Sequence, residues 1–342
     1  MVLVGVNQPN TIEQKWLDGF ANDDSVIVFT ETTSNIHNDA FFPSIDKIIA
    51  PLKAHDFKNL QPDILLTFGG LVVSKKIKAF LRAYKPQQHW HVDFKQANNT
   101  FFCLNKFIKA KPNDFFSKFI PKITEIKSDY KPFWKSVKSL RNKKHEAYLN
   151  TIAFSDFKVF DMLLKAIPDH STLQLGNSST VRYVQLFDLN KTVDVFCNRG
   201  TSGIDGSTST AIGYAINNKK QTTCITGDLS FFYDSNALWN DYIPKNFRIV
   251  VINNSGGGIF RILPGHKNTE NFDTYFETNH NLTAEHLCNM YGFDYDAASN
   301  ELELLDKLNS FYLESNKPKL LEIFTPKHVN DEILLNYFNY LS

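Results

Sequence analysis

Apolar residues along this chain follow two alternating rhythms. Short continuous apolar runs of four to six residues read as buried strands, and between them lie stretches with apolar residues three or four apart, the spacing of one helix face. Val2–Val6 is predicted as a strand, followed by a helix over Thr11–Ala21 with Ile12, Trp16, Leu17 and Phe20 on one side. Strands follow at Val26–Phe29, Asp63–Phe68 and His89–Val92, with helices at Ile45–Leu52 and Lys75–Tyr84. Residues 104–150 break the rhythm, being rich in lysine and carrying Pro112, Pro121 and Pro132, and read as a connector followed by helices. The alternation then resumes. Strands are predicted at Thr172–Leu175, Val193–Phe196, Thr222–Thr226, Phe247–Ile252 and Leu320–Phe324. Helices are predicted at Ser179–Phe187, Thr208–Ile216, Phe231–Trp239, Ala284–Tyr291, Leu302–Leu313 and Asp331–Leu341. Strands separated by helices make βαβ units and a parallel sheet covered on both faces. The expectation is an α/β protein of two doubly wound parallel-sheet domains, residues 1–125 and 126–342.

Composition narrows the function classes. The 342 residues are 42% hydrophobic, enough for two cores, and the net charge is +1. Such balance gives no reason to expect nucleic acid or an anionic membrane as the partner. No stretch approaches the ~20 apolar residues of a membrane span, and the apolar start is too short for a signal segment. A cytoplasmic location is expected. Cys103, Cys197, Cys224 and Cys288 are widely spaced, without a CxxC pair, and read as buried thiols of a reducing compartment. Gly69-Gly70 reads as a strand-to-helix turn, since no GxGxxG is present. His37, His55, His89, His91, His266 and His286 show no metal-ligand spacing and read as structural.

Candidate chemistry concentrates at two predicted strand ends. Gly227-Asp228-Leu229-Ser230 follows one strand, and Asn253-Asn254-Ser255-Gly256 follows the next. The 26 residues from Asp228 to Asn254 accommodate one helix and one strand, which brings the two ends side by side in a parallel sheet. The Asp228 carboxylate, the Asn254 side-chain carbonyl and the Gly256 backbone carbonyl form an oxygen set suited to magnesium that also takes diphosphate oxygens. Ser230 is expected to cap the following helix and turn its N-terminus toward the phosphates.

These segments resemble the thiamine-diphosphate signature, Gly-Asp-Gly followed about two dozen residues later by Asn-Asn, with Leu229 in place of the third glycine. Together with Gly176-Asn177-Ser178, Arg182, Asn198–Gly206 and Gly256–Phe260, they resemble the menaquinone-pathway family of 2-succinyl-5-enolpyruvyl-6-hydroxy-3-cyclohexene-1-carboxylate synthases. The match is dense over residues 176–264. The resemblance implies thiamine diphosphate with Mg2+ or Mn2+, bound through Ile204, Gly227, Asp228, Leu229, Ser230, Asn254 and Gly256. Asp228, Asn254 and Gly256 would be the metal ligands, and Ile204 the apolar pillar that bends the cofactor. Ser178, Arg182 and Arg199 would contact substrate, while Ile259 and Phe260 would form the apolar wall beside the thiazolium. The implied reaction decarboxylates 2-oxoglutarate and adds the resulting succinyl-semialdehyde carbanion to isochorismate. Both substrates are dicarboxylates, which suit the planar guanidinium fork. Lys75 and Lys76 match only loosely a basic pair at the corresponding helix start of the family's central domain, and read equally as a solvated charge pair.

In such enzymes a pyrimidine-binding domain precedes the central domain and supplies an activating glutamate. No glutamate here carries that role by motif, so the domain or subunit is expected from elsewhere, in a homo-oligomer, and this chain alone is expected to be inactive. Two rival readings stand beside this one. One is another 2-oxoacid-decarboxylating thiamine enzyme, against which Leu229 and the set Ser178, Arg182 and Arg199 argue. The other is a non-catalytic module that keeps the fold.

Overall fold

A computed structural model describes residues 1–124, 126–262 and 269–342. His266, the end of the matched stretch after Ile262, and the expected boundary at residue 125 lie outside the described residues. The chain forms two compact units, Met1–Ala147 with Phe338–Ser342, and Tyr148–Tyr337.

The first unit holds a five-stranded parallel sheet of β1 (Val2–Val4), β2 (Val28–Phe29), β3 (Ile64–Phe68), β4 (Gln88–Asp93) and β5 (Lys106–Lys109), in the order β2-β1-β3-β4-β5. Period-two alternation sends side chains to opposite faces. Leu3, Phe29 and Leu65 pack with Ile77, Phe80 and Trp134 in one core, while Val2, Val4, Leu66 and Phe68 pack with Phe20 and Phe116 in another. Burial on both faces explains why these strands read as continuous apolar runs. Trp134 lies on the helix Tyr130–Leu149, so the start of that helix, expected in the second domain, builds the core of the first.

Strand β5 was not predicted. Its sequence Lys-Phe-Ile-Lys lies at the sheet edge with three of four residues exposed, leaving little apolar signal. His89 and His91 project from β4 and both hydrogen-bond Thr67 Oγ1, at 2.9 and 2.8 Å; burial pushes His89 down to about 4 and lowers His91. Lys75 and Lys76 open the helix Lys75–Ala83 and are exposed, with the Lys76 ammonium over the Phe338 ring.

The N-terminus of that helix is closed by Ser74, whose side chain accepts from Ile77 N, and by Glu31, whose two carboxylate oxygens accept from Val73 N and Ser74 N at 2.7 Å each. Burial pushes Glu31 up to about 7, against the pull of the two N–H groups. The folded state therefore holds this proton where the unfolded chain, with a carboxyl near 4.5, has released it. The stabilising contribution is complete below pH 4.5 and falls, by roughly 3 kcal/mol, as pH rises to about 7. Urea midpoints measured across this window should decline for the native chain relative to Glu31→Gln. Parallel curves for the two proteins would show that Glu31 does not titrate there.

The second unit holds a six-stranded parallel sheet of β6 (Thr172–Leu175), β7 (Asp194–Cys197), β8 (Thr222–Gly227), β9 (Phe247–Asn253), β10 (Asp294–Ala298) and β11 (Lys319–Phe324), in the order β10-β11-β9-β8-β6-β7. All pairings are parallel. Strand β10, also unpredicted, is an edge strand whose sequence Asp-Tyr-Asp-Ala-Ala carries little apolar signal. Since β6 is flanked by β7 on one side and β8 on the other, the chain changes winding direction there. The crevice at the carboxyl ends of β6 and β8 is the sheet's switch point, where open α/β sheets place their ligands. No helix among the described residues is long and apolar enough to cross a membrane, and the four cysteines are free thiols, Cys224 and Cys288 buried as expected but Cys103 and Cys197 only partly so.

Candidate functional site

A cavity of about 410 Å³ opens at that switch point. Its walls come from the turns after β6, β8 and β9: Asn177, Ser178 and Arg182; Gly227, Asp228, Leu229 and Ser230; and Asn254, Gly256, Ile259 and Phe260. Ile204 lines it from the segment after β7. Of the residues expected to hold cofactor, metal or substrate, Arg199 alone does not itself line the cavity. Its guanidinium donates to the Asn177 side-chain oxygen, and Asn177, which does line it, donates to Gly203 O at 2.8 Å.

Strands β8 and β9 are neighbours with Gly227 opposite Ile252, so the turns that follow them meet. Asp228 is buried. Its Oδ1 accepts from Leu229 N at 2.7 Å, and its Oδ2 accepts from Gly256 N at 2.9 Å, binding the second turn to the first. His280 Nε2 lies 3.3 Å from the same Oδ2. Because His280 Nδ1 accepts from Leu282 N, the ring carries its hydrogen on Nε2, on the side of Asp228.

Asn254 donates through Nδ2 to Asp156 Oδ2 at 3.0 Å, and its carbonyl Oδ1 is buried with no hydrogen-bond partner among the described residues. Leaving a buried acceptor unpaired costs about 1–3 kcal/mol, so such an atom points to a missing electropositive partner. Asp156 is itself buried and pushed up to about 6, chiefly by burial; hydrogen bonds from Thr325 and Asn254 oppose the shift and the Asp228 charge adds to it. The buried Asp228 carboxylate and the unpaired Asn254 carbonyl offer hard oxygens to a divalent cation, while both Asp156 oxygens are already engaged by Asn254 and Thr325. The donors therefore fit the magnesium–diphosphate group that the sequence implies.

Ser230 does not cap its helix. The helix begins two residues earlier and runs Asp228–Tyr233, Gly227 holds the N-cap position, and the Ser230 hydroxyl donates to Ile204 O. Asp228, Leu229 and Ser230 lie inside the helix rather than before it, and Asp228 Oδ1 satisfies the Leu229 N–H of its first turn. Ser230 thus anchors the segment that carries Ile204. The expected helix Phe231–Trp239 breaks at Asp234 and continues as a single 3-10 turn, Ser235–Leu238.

Ile259 and Phe260 lie on the 3-10 turn Gly258–Arg261. This turn is held from behind by Glu277, a buried carboxylate paired with Arg261 and lying 3.7 Å from Lys327 Nζ. Sequence reasoning missed Asp156, Glu277 and His280. Each is a lone charged or polar residue far from the motifs, and only the fold brings it to them.

The cavity lining combines an acidic residue, Asp228, apolar residues Ile204, Leu229, Ile259 and Phe260, and a basic residue, Arg182. A family model described as thiamine pyrophosphate enzyme, C-terminal TPP binding domain, matches residues 176–323. Across the whole chain, curated relatives named 2-succinyl-5-enolpyruvyl-6-hydroxy-3-cyclohexene-1-carboxylate synthase match from Christiangramia forsetii at 58% identity, from Flavobacterium psychrophilum at 55% and from Porphyromonas gingivalis at 34%. Each match covers 100% of this chain and 60%, 62% and 61% of the respective relative, so the chain spans about three fifths of their length.

Proposed function

From the premise that this chain belongs to the 2-succinyl-5-enolpyruvyl-6-hydroxy-3-cyclohexene-1-carboxylate synthase family, we propose that its second unit holds thiamine diphosphate through a divalent cation and serves that family's carboligation. The reaction proposed is decarboxylation of 2-oxoglutarate followed by conjugate addition to isochorismate. The observation that carries the reading is the unpaired, buried Asn254 Oδ1 beside the buried Asp228 carboxylate at adjacent strand ends. Asp228, Asn254 Oδ1 and the Gly256 carbonyl would hold Mg2+ or Mn2+. Gly227, Leu229 and Ser230 would shape the turn that receives the diphosphate, and Ser230 anchors the segment of Ile204 through its hydroxyl.

Bound thiamine diphosphate supplies the carbon nucleophile and electron sink that decarboxylation needs. What the chain contributes is placement and solvent exclusion. Ile204, Leu229, Ile259 and Phe260 contribute apolar surface to the cavity. A substrate carboxylate there is less solvated, which favours its loss as carbon dioxide. Ser178 and Arg182 line the same cavity and would receive a carboxylate that is kept, the guanidinium matching its geometry. Ser178 is held at φ +73°, an unusual backbone for a serine, with its carbonyl accepting from Arg182, so the two form one unit. Among the described residues the acids lining the cavity are Asp156, engaged by Asn254 and Thr325, and Asp228, engaged by Leu229 and Gly256. The group that handles the aminopyrimidine is accordingly assigned to another domain or subunit of a homo-oligomer.

Calorimetry with this chain should show thiamine diphosphate binding that requires magnesium. Carbon dioxide release from 2-oxoglutarate should appear when a pyrimidine-binding domain is added. Binding without turnover under those conditions would favour a non-catalytic module, and turnover of other 2-oxoacids in preference would favour a different decarboxylase. Arg199→Lys tests the substrate side. It keeps the charge but loses the guanidinium bond to Asn177, and kcat/KM for 2-oxoglutarate should fall roughly 10- to 100-fold. Magnesium-dependent cofactor binding should be unchanged in that variant. Unaltered kinetics would remove Arg199 from the site.

A further inference from the structure

We infer that Asp156 is a positioning residue that sets the amide of Asn254, so that its carbonyl rather than its NH2 group faces the cation. The inference rests on the cofactor reading above. An asparagine amide is nearly symmetric in shape, and turning it by half a rotation exchanges an acceptor for a donor. At a metal site the exchange is fatal, because an NH2 group offers the cation nothing. Some neighbour must therefore distinguish the two ends. On the described geometry Asp156 does so: an ionised carboxylate only accepts, and its Oδ2 takes Asn254 Nδ2 at 3.0 Å, leaving Oδ1 on the opposite side.

The carboxylate is itself held in place. Its other oxygen accepts from Thr325 Oγ1 at 2.6 Å, just beyond β11. Its backbone N–H donates to Asn330 Oδ1 at 2.8 Å, and Asn330 Nδ2 is tied to Pro326 O at 3.0 Å. Asp156 opens the helix Asp156–Ala166 directly after the N-cap Ser155, so its backbone is fixed by the helix start. The orientation of one metal ligand is thus determined by a residue 98 positions away through a chain of hydrogen bonds. Outer-shell partners of this kind typically change metal affinity by about 10- to 100-fold when removed.

The test measures magnesium affinity through magnesium-dependent thiamine diphosphate binding by calorimetry, with thermal unfolding in chelator as the structural control. Asp156→Ala should weaken magnesium about 10- to 100-fold. Asp156→Asn keeps an oxygen that accepts from Asn254 while its NH2 turns to Thr325, and should stay within about threefold of the native chain. Adding Asn254→Asp to Asp156→Ala presents an oxygen whichever way the side chain turns, and should recover most of the loss. If alanine does not fold, Asp156→Ser, too short to reach Asn254, takes its place.

Equal magnesium affinity in the native chain and Asp156→Ala, even with lowered thermal stability, would overturn the inference and leave the cofactor reading standing. A loss in Asp156→Asn as large as in Asp156→Ala would show that Asp156 supplies charge rather than orientation, and overturns it too. Failure of Asn254→Asp to restore binding does the same. No magnesium-dependent binding in the native chain would overturn both the reading and the inference.

Discussion

Asp228→Ala is expected to abolish magnesium-dependent binding of thiamine diphosphate, with a loss exceeding about 100-fold, since removing even an outer-shell partner costs 10- to 100-fold. The substitution removes the charged member of the proposed ligand set. It also frees Gly256 N, which donates to Asp228 Oδ2 at 2.9 Å, and so loosens the second turn of the site. Magnesium is small, demands near-octahedral oxygen geometry and surrenders its water reluctantly, so it depends on carboxylate charge more than a larger cation does. Asp228→Asn separates the two effects. Its amide oxygen can still accept from Gly256 N, so the tie to the second turn is kept while the charge is gone, at the loss of the acceptor for Leu229 N. If charge dominates, the asparagine variant should bind almost as poorly as alanine in calorimetric titrations. Undiminished binding in Asp228→Ala would refute the metal assignment.

What could be read from the sequence was what is local. Each βα turn of the site lies next to an apolar strand, and Asp228 and Asn254 are recognisable because Gly-Asp and Asn-Asn stand directly after β8 and β9. Adjacency of those strands followed from the alternation of strand and helix alone, and the register of Gly227 with Ile252 agrees with it. The helix start at Asp228 was misjudged because Ser230 has the chemistry of a cap, whereas tertiary contact gives its hydroxyl to Ile204 O. Strands β5 and β10 escaped because edge strands need few apolar residues. Asp156 was invisible for a different reason. A Ser-Asp pair opening a helix is an ordinary N-terminal signal, with Ser155 accepting from Lys158 N. Only the sheet order, which sets β11 beside β9, gathers Asp156, Thr325 and Asn254 in one place. Glu277 and His280 are likewise single residues on a connecting segment, with no periodic pattern to announce them.

Gly256→Ala is expected to cost stability as well as cofactor binding. Gly256 has φ +146°, a conformation side-chain-bearing residues rarely adopt, and a Cβ there would lie 2.5 Å from the backbone oxygen of Glu277. That oxygen cannot withdraw cheaply, because it already accepts from Gly257 N at 2.6 Å, and the Glu277 side chain is buried in its pairing with Arg261. Backbone strain of this kind costs about 1–3 kcal/mol, and forcing an extra carbon into a packed site typically costs a further 1–3 kcal/mol. Together they put the loss at roughly 2–6 kcal/mol, read as a lower urea midpoint for the second unit. The turn has two ways to relieve the clash, and both damage the site. Moving Gly256 away breaks its N–H bond to Asp228 and displaces the carbonyl proposed to bind the cation. Moving Glu277 away disturbs Arg261 and with it the turn bearing Ile259 and Phe260. Gly213, on a helix and with open space at its Cβ position, provides the control: Gly213→Ala should be neutral or stabilising by up to about 1 kcal/mol, as alanine is the better helix former. A Gly256→Ala protein as stable as native, with unchanged magnesium-dependent binding, would mean that the close approach of Glu277 is absent in solution and that the Gly256 carbonyl has no fixed place at the cation.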